Sequence, residues 1–403
     1  MNRREFLALT AGTAVLPNVV AEEKKTIKLV SSLPRTGSAK GQTDTIVNGI
    51  RMAIDEYRKQ LPFEIEYEDF DDATPAMGQW DPIAEKQNAE KAVKDEDVMA
   101  MIGPYNSGAA KVSMPILNEA GLVQITPAAT WPGLSKKTKW SDPKEPDIYR
   151  PAKTITFCRV CPTDDTQGQL TAAFAANDLK AKSVYVLDDG EHYGQMCATT
   201  FAAECKKQGI KLLGQESIDI LAKDYRALMA KVKKTDPDAV YFGGTTQSKA
   251  PDIAKDFTAS GMKCPLILPD GCYENVFIEV AGADNVNGRC FVTIGGVDIS
   301  QLTGHGAAFV KKYKARHAAE PEAYAVYGYE AALVILEAIK GVGKKDREAI
   351  RKAVVGTKNF DKGILGKWSF DANGDTTLQQ ITVSKIEDGK FVPMKVVTAD
   401  PAK

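Results

Sequence analysis

Between Ile102 and Thr130 the chain reads I-G-P-Y-N-S-G-A-A-K-V-S-M-P-I-L-N-E-A-G-L-V-Q-I-T-P-A-A-T, two strand-to-helix turns in direct succession. The apolar run 98–102 stops at Gly103-Pro104, Ser107-Gly108 opens a helix that continues to Glu119, and Gly121 closes it. Residues 122–125 form the next strand and lead into Thr126-Pro127-Ala128-Ala129-Thr130. A parallel β/α sheet collects such turns at the carboxyl ends of its strands, where ligands bind. There Ser107 and Thr130 would offer hydroxyls, beside the free N–H groups of a helix start, to one small anion. No Lys or Arg is needed for that.

The same unit recurs along the chain. Strand 27–30 runs into a loop with Pro34, Gly37 and Gly41, and a helix follows to Lys59. Strand 63–67 ends in the acidic cluster Glu68, Asp69, Asp71 and Asp72, and helix 84–94 leads to the stretch above. Beyond a Lys-, Asp- and Pro-rich insertion loop at 135–152 come strand 154–161 and helix 166–177, then strand 183–187 and a helix to Lys207. Strand 210–213 follows, strand 239–242 runs into Gly243-Gly244-Thr245-Thr246, and strand 266–268 runs into Pro269-Asp270-Gly271. Strand-turn-helix units at roughly 25–30-residue spacing argue for a parallel α/β fold. V-Y-F-G-G-T-T-Q-S at 240–248 echoes M-I-G-P-Y-N-S at 101–107, as two similar lobes facing each other would. A chain of 403 residues is also too long for one ordinary core. After strand 290–294 the character changes to amphipathic helices at 304–315, 324–340 and 347–357. Strands 367–370 and 376–386 then read as a hairpin across Asp371-Ala372-Asn373-Gly374-Asp375.

The first 21 residues stand apart. Arg3-Arg4 before Phe6-Leu7, a mild apolar run 8–20 and Val19-Val20-Ala21 read as a secretory leader, expected to be of the twin-arginine kind, with an ordinary secretory leader that happens to carry Arg-Arg as the alternative. The run is too short for a membrane anchor and is broken by Pro17, so the mature chain is expected free in a periplasm-like space. The formal charge of −1 argues against a nucleic-acid partner. Seven cysteines lie between Cys158 and Cys290, and Cys158-x-x-Cys161 sits on a strand whose i and i+3 side chains face opposite ways. They read as buried thiols or one structural disulfide, with no metal and no cofactor. The acidic cluster at 68–72 reads as a solvated turn, and 371–375 as a hairpin turn whose Gly is misplaced for calcium.

Catalysis finds little to work with. The three histidines, His192, His305 and His317, form no H-E-x-x-H, and no G-x-S-x-G elbow is present. Gly341-Val342-Gly343-Lys344-Lys345 lacks the Walker spacing and reads as a helix end. The expectation is a binding protein and not an enzyme.

From Ile102 to Tyr273 the sequence resembles the branched-chain amino-acid binding proteins of ABC importers. I-G-P-Y-N-S, I-T-P-A-A-T at 125–130, D-D-T-Q-G at 164–168, D-D-G-E-H-Y-G at 188–194, Y-F-G-G at 241–244 and L-P-D-G at 268–271 fall in the family's order. The resemblance implies the type I periplasmic binding fold: two doubly wound α/β lobes, joined by three crossover strands, that close on a ligand by hinge motion. It sets lobe one at 26–154 with 296–364 and lobe two at 155–295 with 365–400. It further implies that Ser107, the Ala128 carbonyl and Thr130 hold a ligand's carboxylate and amino group. Tyr193 and Asp270 reach across from the second lobe, Asp270 standing where leucine-binding relatives carry Glu. Thr245 replaces the family's aromatic after Gly-Gly, and no counterpart is assigned near Gln42, so an amino acid or amino-acid-like ligand is implied without a branched-chain preference. Tyr105 and Trp131 flank the motif as further ligand contacts, whereas Tyr324 and Tyr327 read as helix-face packing. Each residue also has a plain structural reading: helix caps for Ser107 and Thr130, an Asx turn for Asp270, packing for Tyr193. The implied partners are a small-molecule ligand and the permease subunits of an importer, the protein itself being a monomer. A sensor of amides or urea with the same fold, feeding a receptor or regulator, remains the alternative.

Overall fold

The computed structural model describes residues 25–399, so the leader lies outside the described residues. Two sheets organise the chain. The first contains β1 (Thr26–Leu33), β2 (Glu64–Asp71), β3 (Val98–Ile102), β4 (Val123–Thr126) and β5 (Phe157–Arg159), in the order β2-β1-β3-β4-β5 and parallel throughout. The second contains β6 (Ser183–Asp188), β7 (Lys211–Ser217), β8 (Ala239–Gly243), β9 (Leu266–Leu268), β10 (Cys290–Gly295), β11 (Gln380–Glu387) and β12 (Lys390–Thr398). Its order is β12-β11-β10-β9-β8-β6-β7, parallel except for the antiparallel pairs β10–β11 and β11–β12. The chain passes between the sheets after β5, after β10 and before β11.

Local sequence explains the elements that set the cleft. β3 is V-M-A-M-I and buried at every position, as a central strand covered on both faces must be. Helix Pro82–Lys94 starts at Asp81, whose carboxylate accepts from the N–H groups of Ile83 and Ala84, with Pro82 at the first helical position. Helices Lys40–Tyr57 and Ala325–Val342 cross almost backbone to backbone. A Cβ on Gly49 would lie 2.2 Å from the Ala325 carbonyl oxygen, and one on Gly328 would lie 2.4 Å from that of Ile46. This contact ties the segment after β10 back onto the first lobe.

Four expectations are corrected. Strand 154–161, set in the second lobe, shortens to β5 and pairs with β4 in the first sheet. The stretch 365–376 also packs with the first lobe: Trp368 donates its indole N–H to Glu330 (2.6 Å), and Asp375 takes the Arg159 Nε (2.7 Å). Arg159 is wholly buried, so the chain must bring a carboxylate to it before turning to the second sheet at Gln380. The hairpin across 371–375 amounts to a single Phe370–Thr376 bridge, and the extended hairpin is β11–β12 around Asp388-Gly389. The acidic cluster is not a solvated turn. β2 carries on through Asp71, and Asp72 is fully buried near Glu85, the two carboxyls both pushed to higher pKa by burial.

All seven cysteines are free thiols, six of them buried and Cys264 half-buried. Among the described residues no helix is long and apolar enough to cross a membrane.

Candidate functional site

The carboxyl ends of both sheets converge on one cavity. Gly103, at the end of β3, has φ +124°, and a Cβ there would lie 2.3 Å from the Ser32 carbonyl oxygen, so only glycine lets the chain turn this tightly. The turn delivers Tyr105, Asn106 and Ser107 to the cavity, and the loop after β4 delivers Ala128. Thr126 shapes that loop by accepting the Ala128 and Ala129 N–H groups (3.1 and 2.8 Å) on its hydroxyl. From the second lobe come Tyr193, Thr245 and Gly271, and Tyr324 enters from the start of the Ala325–Val342 helix. The cavity is small, about 40 Å³.

Asp270 is the charged group behind this wall. It is 4% exposed. Its Oδ1 accepts from Gln167 Nε2 (2.8 Å) and from the Tyr193 hydroxyl, and its Oδ2 accepts from the Tyr324 hydroxyl (2.8 Å). Gln167 is itself fixed, because its Oε1 accepts from the Asp270 N–H (2.9 Å) and the Thr293 hydroxyl (2.8 Å). The Tyr193 oxygen also accepts the Gly271 N–H (2.8 Å). Three neutral donors surround the carboxylate, and among the described residues it forms no salt bridge. A buried carboxylate without a cation is costly unless a partner supplies the charge.

Of the residues singled out by sequence, Tyr105, Ser107, Ala128, Tyr193 and Thr245 line the cavity, and Asp270 is held directly behind it. The Ser107 hydroxyl accepts the Trp131 N–H (3.2 Å), which leaves its own hydrogen to donate. Thr130 and Trp131 lie beside the cavity. The Thr130 hydroxyl faces Asp164 without a hydrogen bond within 3.5 Å, and burial pushes the Asp164 pKa up to about 8. Trp131 meets His192 of the opposite lobe edge-on at 5.5 Å, with Lys111 Nζ 3.8 Å over its ring and its indole N–H on Glu145 (2.9 Å). Burial, and then the Lys111 charge, hold the His192 pKa below its usual value.

Tyr324 requires a correction: it is not mere helix packing, since its hydroxyl holds Asp270 and its ring lies 5.7 Å from that of Tyr105. Its helical spacing looks like core, and only the turn of the chain between lobes brings it to the cleft. Tyr327 does pack, with its hydroxyl on the Gly295 carbonyl (2.6 Å). Gln167 was visible inside D-D-T-Q-G but carried no role until Asp270 was placed beside it. Among the described residues no group of three or more His, Cys, Asp or Glu is arranged to hold a metal.

A cleft between two α/β lobes, with a buried carboxylate on one side and a helix start on the other, defines a two-lobed solute-binding protein. The chain matches the periplasmic binding protein family over residues 26–390 and belongs to it. It is 30% identical to Leu/Ile/Val-binding protein homolog 2 of Brucella abortus, covering 89% of this chain and 90% of that one. Among solved structures, a leucine-binding protein from Thermotoga maritima is 26% identical with a TM-score of 0.81, covering 93% of this chain and 99% of that one. A solute-binding protein from R. palustris in complex with benzoate shares the fold at 19% identity and a TM-score of 0.77, covering 94% of this chain and 98% of that one.

Proposed function

We propose that the protein binds an amino acid or a closely related amine-bearing solute between its lobes and delivers it to an ABC importer. The observation that carries this reading is Asp270, a buried carboxylate set by three neutral hydroxyl and amide donors and, among the described residues, supplied with no cation of its own. An ammonium ion completes the charge, and the ligand's carboxylate goes to the helix start at Ser107, where N–H groups and a free hydroxyl hydrogen are available. Ala128 offers a carbonyl to the remaining ammonium hydrogens. Contacts from the second lobe form only when the cleft is shut, so ligand shifts the equilibrium toward closure. The Trp131–His192 contact belongs to the same closed state.

The aromatic acid seen with the R. palustris protein brings a carboxylate and no ammonium, which leaves Asp270 unpaired. Arg3-Arg4 supports export by the twin-arginine route, and a monomer suffices because each chain carries both halves of the cleft. A thermal-shift screen of refolded, ligand-stripped protein against amino acids, amides and aromatic acids tests the assignment. Stabilisation by amino acids is expected, and stabilisation by aromatic acids alone would overturn it.

A further inference from the structure

Asp270, Ser107 and the Ala128 carbonyl take up the head group of an amino acid, and what remains of the cavity is left to its side chain. That remainder is walled by apolar groups. Tyr105 and Tyr324 border it with their ring centres 5.7 Å apart. Thr245 is polar by sequence but not on this side. Its N–H donates to the Ser248 oxygen (2.8 Å), and its own oxygen accepts the Ser248 N–H (3.1 Å) and pairs with the Ser248 hydroxyl (3.0 Å). The buried Asp189 fixes this turn by accepting the Ser248 hydroxyl. The methyl group is what Thr245 has left for the wall. A Cβ on Gly271 would lie 3.0 Å from that methyl carbon and 2.9 Å from Tyr193 Cε1. Asn106 Oδ1, buried and unpaired, belongs to the residue beside Ser107, at the head-group end.

These walls are also held in place. Tyr193 and Tyr324 both spend their hydroxyls on Asp270, and the Tyr193 oxygen takes the Gly271 N–H as well. A cavity of about 40 Å³ has room for about three waters. Three waters fill roughly 90 Å³ of liquid at about 30 Å³ each, close to the volume of an amino acid whose side chain is a hydrogen or a methyl. A longer side chain meets ring carbons that cannot swing aside without breaking a bond to Asp270, and overpacking a fixed wall is costly. It could otherwise be housed only by holding the lobes apart, which gives up contacts such as Trp131 on His192.

Resting on the amino-acid reading above, we propose that the site selects by size, taking glycine- and alanine-sized amino acids, with the Thr245 methyl and the Tyr105–Tyr324 ring pair as the stop that excludes longer side chains. The stop acts on length and not on chemistry, so a carboxamide and a branched hydrocarbon of equal size are rejected alike. Asp189 and Ser248 are positioning residues for it: they turn the Thr245 oxygen into its own loop and leave the methyl to meet the ligand.

Calorimetry on ligand-stripped wild-type protein with glycine, alanine, valine, leucine and asparagine tests this. Alanine is expected to bind at least tenfold tighter than valine, leucine or asparagine, since each methylene too many in a close-fitting pocket is worth about tenfold or more. A lead under tenfold over any of the three overturns the size limit and leaves the amino-acid reading intact; asparagine alone escaping it would show selection by chemistry. Thr245→Ser keeps the bonds to Ser248 and removes only the methyl, so alanine's lead over valine should shrink at least fivefold. Tyr105→Val breaks none of the bonds to Asp270 and should shrink the lead over leucine likewise. Leads unchanged in both variants, each shown to be folded by thermal unfolding, overturn the stop as well. Failure of all five ligands to bind the wild-type protein overturns both readings.

Discussion

Replacing Asp270 by Asn removes one negative charge and keeps nearly the same shape. In the wild-type protein Oδ1 receives Gln167 and Tyr193, and Oδ2 receives Tyr324. An Asn carbonyl in the Oδ1 position keeps the first two donors. Its amide group then faces the Tyr324 oxygen, and that hydroxyl can turn to accept. The cost to folding is therefore small, about 1 kcal/mol, the worth of an ordinary hydrogen bond. The cost to binding is larger. An ammonium placed in the closed cleft loses its one counter-charge, and breaking a buried pair costs about 3–5 kcal/mol. That corresponds to a loss of about 10²- to 4 × 10³-fold in affinity. Calorimetry with the ligand found in the screen, paired with thermal unfolding of the free protein, separates the two effects. A folded Asp270→Asn protein that binds within threefold of wild type would refute the reasoning.

Three further outcomes follow from the packing. Gly328→Ala drives a Cβ to 2.4 Å from the Ile46 carbonyl and should destabilise by about 1–3 kcal/mol, read as a lowered melting temperature. Asp375→Asn leaves the wholly buried Arg159 unpaired and should cost about 3–5 kcal/mol in urea unfolding; a change under 1 kcal/mol would show that the surrounding carbonyls of Ala129 and Trp131 suffice. Asp164, with a folded pKa near 8, is neutral in the folded state while its unfolded counterpart ionises near pH 4. Its contribution to stability is full below the unfolded pKa and fades as pH climbs to about 8. Asp164→Asn should flatten the stability profile between pH 4.5 and 8.5, measured by denaturant titration.

Much of the cleft was legible because local chemistry and tertiary role coincide there. The apolar run 98–102, stopped by Gly103-Pro104 and restarted at Ser107, announces both the strand and the helix, and β3 and helix Ser107–Glu119 have those bounds. Where partners come from distant chain, the sequence is silent. β5 joins the first sheet through Arg159 and its bond to Asp375, 216 residues away. β12 hides behind its mixed face, with Lys390, Pro393 and Lys395 among its apolar residues, as an exposed edge strand permits. Tyr324 carries no local signal at all, because only the folded chain sets it on Asp270.

The claim on which the account turns is that the ligand's ammonium ion, not its carboxylate or side chain, pairs with the protein's buried charge. Calorimetry comparing an amino acid that binds with the same acid lacking its α-amino group tests it directly on the wild-type chain. A loss of about 10²-fold or more on removing the amine is the expected result. Equal affinity for the two compounds would contradict it.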